Sequence, residues 1–270
     1  MTIKLFTMVK DENDIVREWI IYHGELFGYD NIFVIDNYST DGTYEIIEEY
    51  KERIHIFREK NYQDKGILMK SLINKNCLPN DIGFPIDIDE FIVYYDDNKI
   101  TVDKTTINNY MNNLEDASIY KANYIITNIT DTTEYGYNNA IIETKYGTYQ
   151  NYGMSAKSFF KLKNYNGIID HGNHIHTNNY FLTKICLVHY HCRNLFQMKK
   201  KIYNNVIGLG YPNNLEKLKI ILHKNAKCAG CHHVRNYINV LENTYQIQKQ
   251  PYNSGMIQLE PLSQFISKLK

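Results

Sequence analysis

The first ninety residues alternate between short apolar runs and segments whose apolar residues recur every three or four positions. Apolar runs of this length are typical of buried strands, and the recurring spacing is typical of helices with one apolar face. The expected strands are 3–9, 31–36, 54–57 and 82–87, and the expected helices are 11–28, 43–53 and 62–76. Alternation with short connections predicts an α/β fold whose mainly parallel, twisted sheet carries helices on both faces.

Polar residues cluster where each predicted strand ends. The clusters are residues 7–12, 36–41, 58–65 and 87–90. Open parallel sheets bind ligands at the carboxyl ends of their strands, where the turns leave a crevice. Four polar clusters on one rim therefore predict a ligand site at that rim.

The pattern becomes mixed after residue 95. Helices are expected at 103–114, 194–207, 215–224 and 234–248, and strands at 119–128, 158–162 and 185–191. We predict one domain over residues 1–205, made of halves 1–95 and 96–205, followed by a helical extension over 206–270.

Composition argues against several classes of protein. The chain has 30 basic and 30 acidic residues, and a dedicated nucleic-acid binder would usually carry a basic excess. The tight basic run Lys199–Lys201 is interpreted as a solvated helix face. The sequence contains no run of 18 apolar residues, so no membrane span is expected, and no signal-peptide pattern is visible. We expect a cytoplasmic protein with reduced thiols.

Asp87 and Asp89 flank Ile88 directly after an apolar run. In an extended chain, residues two apart point the same way, so both carboxylates can face one crevice. Two adjacent carboxylates repel each other unless a cation joins them. Mg²⁺ and Mn²⁺ prefer oxygen ligands and complete their shells with phosphate oxygens. A surface turn rich in acids is the plain alternative, but the preceding strand and Glu90-Phe91 favour a metal site.

Several short motifs follow one another along the chain. They are Lys10-Asp11-Glu12, Glu18-Trp19 with His23, Asp36-Asn37-Tyr38-Ser39-Thr40-Asp41-Gly42, the IDIDEF stretch at 86–91, and VHYHCRN at 188–194 before Lys199–Lys201. Together they resemble the GT-A fold glycosyltransferases of the family 2 and family 92 type. The first motif of that family has Asn where this chain has Asp11. The resemblance is close over residues 3–95 and weaker to residue 201.

The resemblance implies a metal-dependent transfer of a sugar from a nucleotide-diphosphate sugar to an acceptor hydroxyl. It implies a hexosyltransferase with Mn²⁺ or Mg²⁺ as cofactor and UDP as the first guess for the nucleotide. Residues 1–95 would then form the nucleotide-binding half and residues 96–205 the acceptor-binding half. The nature of the acceptor, whether glycan, protein or lipid, stays open.

The resemblance also assigns roles to individual residues. The loop from Thr7 to Lys10 would border the nucleotide base, with Glu12 in the same site, and Asp36 would hydrogen-bond the base or ribose. Asp87 would lie near the ribose or the metal, and Asp89 would ligate the metal. The remaining assignments are His189 as a metal ligand or diphosphate contact, and Arg58 and Lys65 as diphosphate or nucleotide contacts.

An inverting transferase needs a carboxylate base near the acceptor hydroxyl, whereas a retaining one does not require it, and the choice between the two stays open. The base of an inverting enzyme would lie in the second half. Asp170 is the candidate, since it follows a short apolar run and precedes a histidine-rich loop. Glu143 and Glu134 are its rivals. The histidines at 171, 174, 176, 189 and 191 leave a zinc site open, although such a loop can also hydrogen-bond sugar hydroxyls.

Cys228 and Cys231 form a CxxC pattern followed by two histidines. Two free thiols at a helix start are the favoured interpretation. A structural zinc would need further ligands, which His232 or His233 and Cys192 could supply. Haem attachment is disfavoured because it requires export.

Two other functions compete with sugar transfer. A nucleotidyltransferase also places acidic residues after a parallel strand, but it normally carries a glycine-rich loop near the N-terminus, and residues 7–13 contain no glycine. A non-catalytic protein that binds carbohydrate or nucleotide with the same fold is the other alternative.

Overall fold

The computed structural model describes residues 1–129, 137, 139–224, 230–247, 249–250 and 252–269. The strands are β1 (Ile3–Val9), β2 (Ile32–Asp36), β3 (His55–Arg58), β4 (Ile82–Pro85), β5 (Glu90–Asp96), β6 (Lys99–Thr101), β7 (Tyr120–Thr127), β8 (Tyr146–Gln150), β9 (Lys157–Lys161), β10 (Phe181–His189) and β11 (Ile257–Gln258). The helices are α1 (Val16–Phe27), α2 (Thr43–Glu48), α3 (Lys65–Asn76), α4 (Lys104–Asn112), α5 (Ala140–Glu143), α6 (Leu195–Gly208), α7 (Leu215–Lys224), α8 (Cys231–Leu241) and α9 (Glu260–Leu269).

The first four strands form the predicted parallel sheet. β1 pairs in parallel with β2 and β4, and β2 pairs in parallel with β3. Alternate residues of a strand face opposite sides of its sheet. Accordingly, Leu5 and Val9 pack in one apolar cluster with α1, whereas Phe6 and Met8 pack in a second cluster with α3. The predicted α/β class, with helices on both faces, is confirmed.

Beyond β4 the sheet becomes mixed. The strand order is β3-β2-β1-β4-β9-β7-β10-β5-β6, with β8 paired to β7 and β11 to β8. β9 is antiparallel to both β4 and β7, so it joins the parallel half to the rest. β10 is parallel to β7 and antiparallel to β5. The mainly parallel arrangement therefore holds for β1 to β4, whereas beyond them β7 and β10 form a parallel pair among antiparallel neighbours.

Some predicted boundaries differ from the observed ones. α1 begins at Val16 rather than at residue 11, because residues 11–15 form turns that are tied to the next motif. Within those turns, the Glu12 amide donates to Thr43 Oγ1, and Asp11 adopts a positive φ of 53°. α8 begins at Cys231 and ends at Leu241, earlier than predicted at both ends. β5 and α9 were not predicted.

The last helix belongs to the main core. Leu262 and Ile266 of α9 are buried in the apolar cluster that also contains Trp19. The division of the chain at residue 205 stays a prediction. No helix in the described ranges is both long and apolar enough to cross a lipid bilayer.

Candidate active site

A cavity of about 520 Å³ lies at the carboxyl ends of β1 and β4. The first half of the chain lines it with Met8, Lys10, Glu12, Tyr62, Lys65, Asp87, Ile88 and Asp89. The second half and the C-terminal helices line it with His171, Gly172, His174, His189, His191, Lys201, Asn204, Asn205, Leu209, Gly230, His232 and His233. The predicted rim is thus one wall of a cavity that later segments complete.

Asp87 is held by two lysines. Its carboxylate accepts from Lys65 Nζ at 2.7 Å and from Lys157 Nζ at 2.8 Å, and Asn173 Nδ2 donates to it at 3.0 Å. Burial opposes the charge of Asp87, but Lys157 and Lys65 outweigh burial and hold its pKa well below the ordinary value. Asp87 is therefore an ion-paired carboxylate whose charge is balanced by two ammonium groups.

Lys157 also neutralises Glu90. Its Nζ lies 2.9 Å from Glu90 Oε1 and donates to the Gly172 carbonyl at 2.9 Å. Glu90 Oε2 accepts from the Asp87 amide at 2.8 Å, which fixes the turn that carries both aspartates. Burial raises the pKa of Glu90 despite the lysine beside it. Lys157 therefore connects the acidic turn to the histidine-rich loop.

Asp89 occupies a different environment on the other side of that turn. Pairing of β5 with β10 sets Glu90 opposite His189, so the neighbouring Asp89 Oδ2 lies 3.4 Å from His189 Nε2. Lys201 of α6 donates to the same oxygen. Burial opposes the charge of Asp89, but Lys201 and His189 outweigh it and hold its pKa well below the ordinary value.

Asp89, His189 and His191 offer ligand atoms that all lie within 4.8 Å of one another. One carboxylate and two imidazoles are a donor set that binds a divalent transition metal. The Lys201 ammonium beside His191, which is exposed at the cavity wall, lowers the pKa of this imidazole below the ordinary value for histidine. The arrangement fits a metal. Asp87 lies outside this group and is paired with Lys65 and Lys157, so its role as a second metal ligand stays a prediction.

Arg193 fastens the N-terminal motif to the second half of the chain. Its Nε donates to Asp14 at 2.8 Å, its Nη2 donates to Glu12, and its Nη1 donates to the Tyr190 carbonyl at 3.1 Å. The Arg193 side chain is 1% exposed. Burial raises the pKa of Glu12 in spite of the guanidinium beside it. A buried arginine that bonds two carboxylates holds the loop after β1 in place.

Asp36 and Arg58 form an ion pair near the cavity but do not line it. Asp36 is fully buried, and its carboxylate accepts from the Ser39 amide at 3.1 Å and from Arg58 Nε at 3.0 Å. The Arg58 guanidinium lies over the rings of Tyr38 and Tyr44. Of the expected loop from Thr7 to Lys10, Met8 and Lys10 line the cavity. Thr7 is fully buried within β1 and does not line it.

The proposed base Asp170 contacts two residues of the histidine-rich loop. Its carboxylate accepts from the His174 amide at 2.7 Å and lies 3.3 Å from His176 Nε2. Its neighbours His171 and Gly172 line the cavity, but Asp170 is not among the lining residues. Glu143 is in α5, where it accepts from the Asn139 amide, and it does not line the cavity either. Glu134 lies outside the described residues.

Close packing positions this histidine-rich loop. A Cβ atom on Gly66 of α3 would lie 2.0 Å from the Ile169 carbonyl oxygen, so only glycine allows the helix and the loop to approach this closely. Lys121, which is fully buried, donates from Nζ to the carbonyls of Ala156 and Ile175 and to Ser158 Oγ. Its pKa is lowered to about 8 by burial.

Two further expectations need correction. Lys201 is not part of a solvated helix face, because its ammonium is paired with the buried Asp89, and Lys200 pairs with Asp41 at 2.6 Å. Cys231 is disulfide-bonded and is therefore not a free thiol. Cys228 lies outside the described residues, and His232 and His233 line the cavity.

Comparison with known proteins bears on the first half of the site. Residues 26–73 match the model of the family described as "Glycosyl transferase family 2". The match indicates a glycosyltransferase. It covers β2, α2, β3 and most of α3, and thus Asp36, Arg58 and Lys65, but it ends before the aspartate turn. No curated protein sequence matches the chain.

Solved structures share a distant similarity with this chain. A 1–349 fragment of TarS from S. aureus is 12% identical over 90% of this chain and 71% of that chain, with a TM-score of 0.41. The complex of that fragment with UDP is 11% identical over the same shares, with a TM-score of 0.44. HddC from Yersinia pseudotuberculosis is 9% identical over 70% of this chain and 93% of that chain, with a TM-score of 0.37. Similarity at this level carries no argument about the substrate of this glycosyltransferase.

Proposed function

We propose that the chain transfers a sugar from a nucleotide-diphosphate sugar, with a UDP-sugar as first choice, to an acceptor hydroxyl. The observation that carries the proposal is the placement of Asp89, His189 and His191 beside Lys65 and Lys201 in one cavity. The site thus combines a candidate metal centre with ammonium groups, and both attract a diphosphate. The glycosyltransferase match to residues 26–73 agrees with this reading.

Asp89, His189 and His191 would hold the divalent cation. When bound, such a cation neutralises the charge that develops on the diphosphate as the sugar departs. The two imidazoles favour Mn²⁺ over Mg²⁺, because Mg²⁺ is bound mainly through oxygen atoms. Asp87 contributes indirectly, since it orients the Lys65 ammonium at the cavity wall.

The two halves of the domain would divide the substrates. Residues 1–95 supply Lys10, Lys65 and the aspartate turn, which suits the nucleotide. Residues 96–205 supply His171 and His174, which suit the acceptor, and also contribute His189 and His191 to the metal site. We keep Asp170 as the candidate base, since it directly precedes the lining residue His171. Asp36 and Arg58 would shape the nucleotide end of the site through their buried ion pair.

Turnover of sugar nucleotides tests this proposal. Purified protein should hydrolyse or transfer from at least one UDP- or GDP-sugar in the presence of Mn²⁺, and EDTA should stop it. Asp89→Asn should abolish the activity while the circular dichroism spectrum is retained. Asp116→Asn is the matched control, because Asp116 is exposed, pairs with Lys161 and Lys163, and does not line the cavity. Full activity of Asp89→Asn would show that the reaction does not depend on the Asp89 carboxylate.

A further inference from the structure

One oxygen of Asp89 is shared between a lysine and the candidate metal centre. Lys201 donates to Asp89 Oδ2, and the same oxygen lies 3.4 Å from His189 Nε2. A divalent cation bound by both Asp89 and His189 would approach this oxygen, because it is the one that faces the imidazole. Lys201 and the cation therefore compete for a single ligand atom.

Lys201 can leave Asp89 more easily than the neighbouring arginine can. Its side chain is 17% exposed and lines the cavity, whereas the Arg193 side chain is 1% exposed and is held by Glu12 and Asp14. A lysine carries a compact ammonium on a flexible stem with four carbons. The ammonium can thus move into the cavity while helix α6 stays in place.

We propose that Lys201 is an exchangeable cation. It neutralises Asp89 when no divalent metal is bound, and it binds the diphosphate of the nucleotide once a metal takes its place on Asp89. The other cavity lysine close to the aspartates, Lys65, is already held by Asp87 at 2.7 Å and is 6% exposed. Metal binding would therefore place an additional positive charge where the diphosphate must lie. The binding of Lys201 to the diphosphate rests on the proposed function. The exchange of Lys201 for the metal on Asp89 concerns only the protein and the ion.

The affinity of the protein for Mn²⁺ alone tests the exchange. Isothermal titration should show that Lys201→Met binds Mn²⁺ at least about tenfold more tightly than the wild type, since the competing ammonium is gone. Lys199→Met is the matched control: it removes the same charge from the same helix, and the Mn²⁺ affinity should not change. Unchanged or weaker Mn²⁺ binding by Lys201→Met, or no binding by any variant, would overturn the exchange.

A second measurement covers the case in which Lys201→Met is poorly folded. Ligands that bind the native state raise the melting temperature according to their affinity. Mn²⁺ should raise the Tm of Lys201→Gln and Lys201→Met more than that of the wild type, each compared with its own metal-free sample. An equal or smaller rise in both variants would contradict the exchange.

Titration with UDP tests whether Lys201 binds the diphosphate once a metal is bound. Mn²⁺ should increase the UDP affinity of the wild type, and this increase should shrink about tenfold in Lys201→Met. An undiminished increase would show that Lys201 does not reach the diphosphate. Failure of the proposed function is distinguishable, because a protein that turns over no sugar nucleotide can still show the Mn²⁺ exchange, and an active enzyme can lack it.

Discussion

The Lys157 ammonium lies 2.8 Å from Asp87 Oδ2 in a position where the lysine side chain is only 1% exposed. The same ammonium neutralises Glu90. Lys157→Met should therefore leave the buried Glu90 without its cation and Asp87 with Lys65 alone, and lower the free energy of unfolding by about 3–5 kcal/mol. Urea denaturation at pH 7 measures this change.

The control for this variant is Lys163→Met. Lys163 lies 3.9 Å from Asp116, and the two side chains are 42% and 62% exposed. An exposed pair of this kind contributes at most about 1 kcal/mol. Equal losses in the two variants would show that burial of Lys157 has no special importance.

Arg193→Lys should weaken the attachment of the N-terminal motif. A lysine keeps the charge but cannot reproduce the fork that bonds Glu12 and Asp14 together. We expect a loss of about 2 kcal/mol in unfolding free energy, together with weaker nucleotide binding because the Glu12 loop is released. Arg17→Lys is the matched control, since Arg17 forms a bidentate salt bridge with Glu49 at the surface. Its loss should stay below about 1 kcal/mol, and a larger loss than that of Arg193→Lys would argue against this account.

His23 should make the protein sensitive to mild acid. Its Nδ1 contacts the Trp19 carbonyl and its Nε2 accepts from the Ile92 amide, so the buried ring is satisfied as a neutral imidazole. Burial lowers its pKa from 6.5 to about 3. The unfolded chain therefore binds a proton first as the pH falls, and stability should decrease below pH 6.5 by up to about 1.4 kcal/mol per pH unit until the folded pKa is reached.

Urea denaturation between pH 7 and pH 4 measures that slope. His23→Gln keeps one donor and one acceptor without the titration, so its stability should fall less steeply in this range. His55→Gln replaces an exposed histidine and should retain the slope of the wild type. Identical slopes in all three proteins would rule out His23 as the cause.

His189→Ala and His191→Ala should each weaken Mn²⁺ binding by at least about tenfold, because each removes one of three ligand atoms. Isothermal titration of the nucleotide-free protein measures the affinity. His223→Ala is the control, since His223 lies exposed on α7. If both His189→Ala and His191→Ala retained the Mn²⁺ affinity of the wild type, the metal would have to bind at other residues.

The parallel half of the fold was readable from sequence because three of its strands, β1, β2 and β4, are buried on both faces. Residues such as Leu5 and Phe6 are apolar in succession, and each faces a different apolar cluster. β5 begins with Glu90, a buried acid whose partner Lys157 lies 67 residues further along the chain. A local pattern cannot show that such an acid is buried, although the apolar run 91–95 that follows it is typical of a strand.

The sequence identified the aspartates and one histidine of the candidate site, but not the pairing of lysines with the aspartates. Asp89 and His189 were singled out because they stand in short motifs, and the family match covers neither of them. Lys157 and Lys201 were missed as partners of the aspartates, because only strand β9 and helix α6 bring them there. His191 was considered only for a zinc site, and the antiparallel pairing of β5 with β10 explains why it lies near Asp89.

The bond from Arg193 to Glu12 spans 181 positions of the chain. Closing a loop of that length carries a large entropic cost, and contacts between such distant residues form late in folding. During synthesis the first strands can pair while the acidic loop above them is still loose, since its anchor has not yet left the ribosome. A nascent chain would thus acquire its scaffold well before it acquires a working pocket.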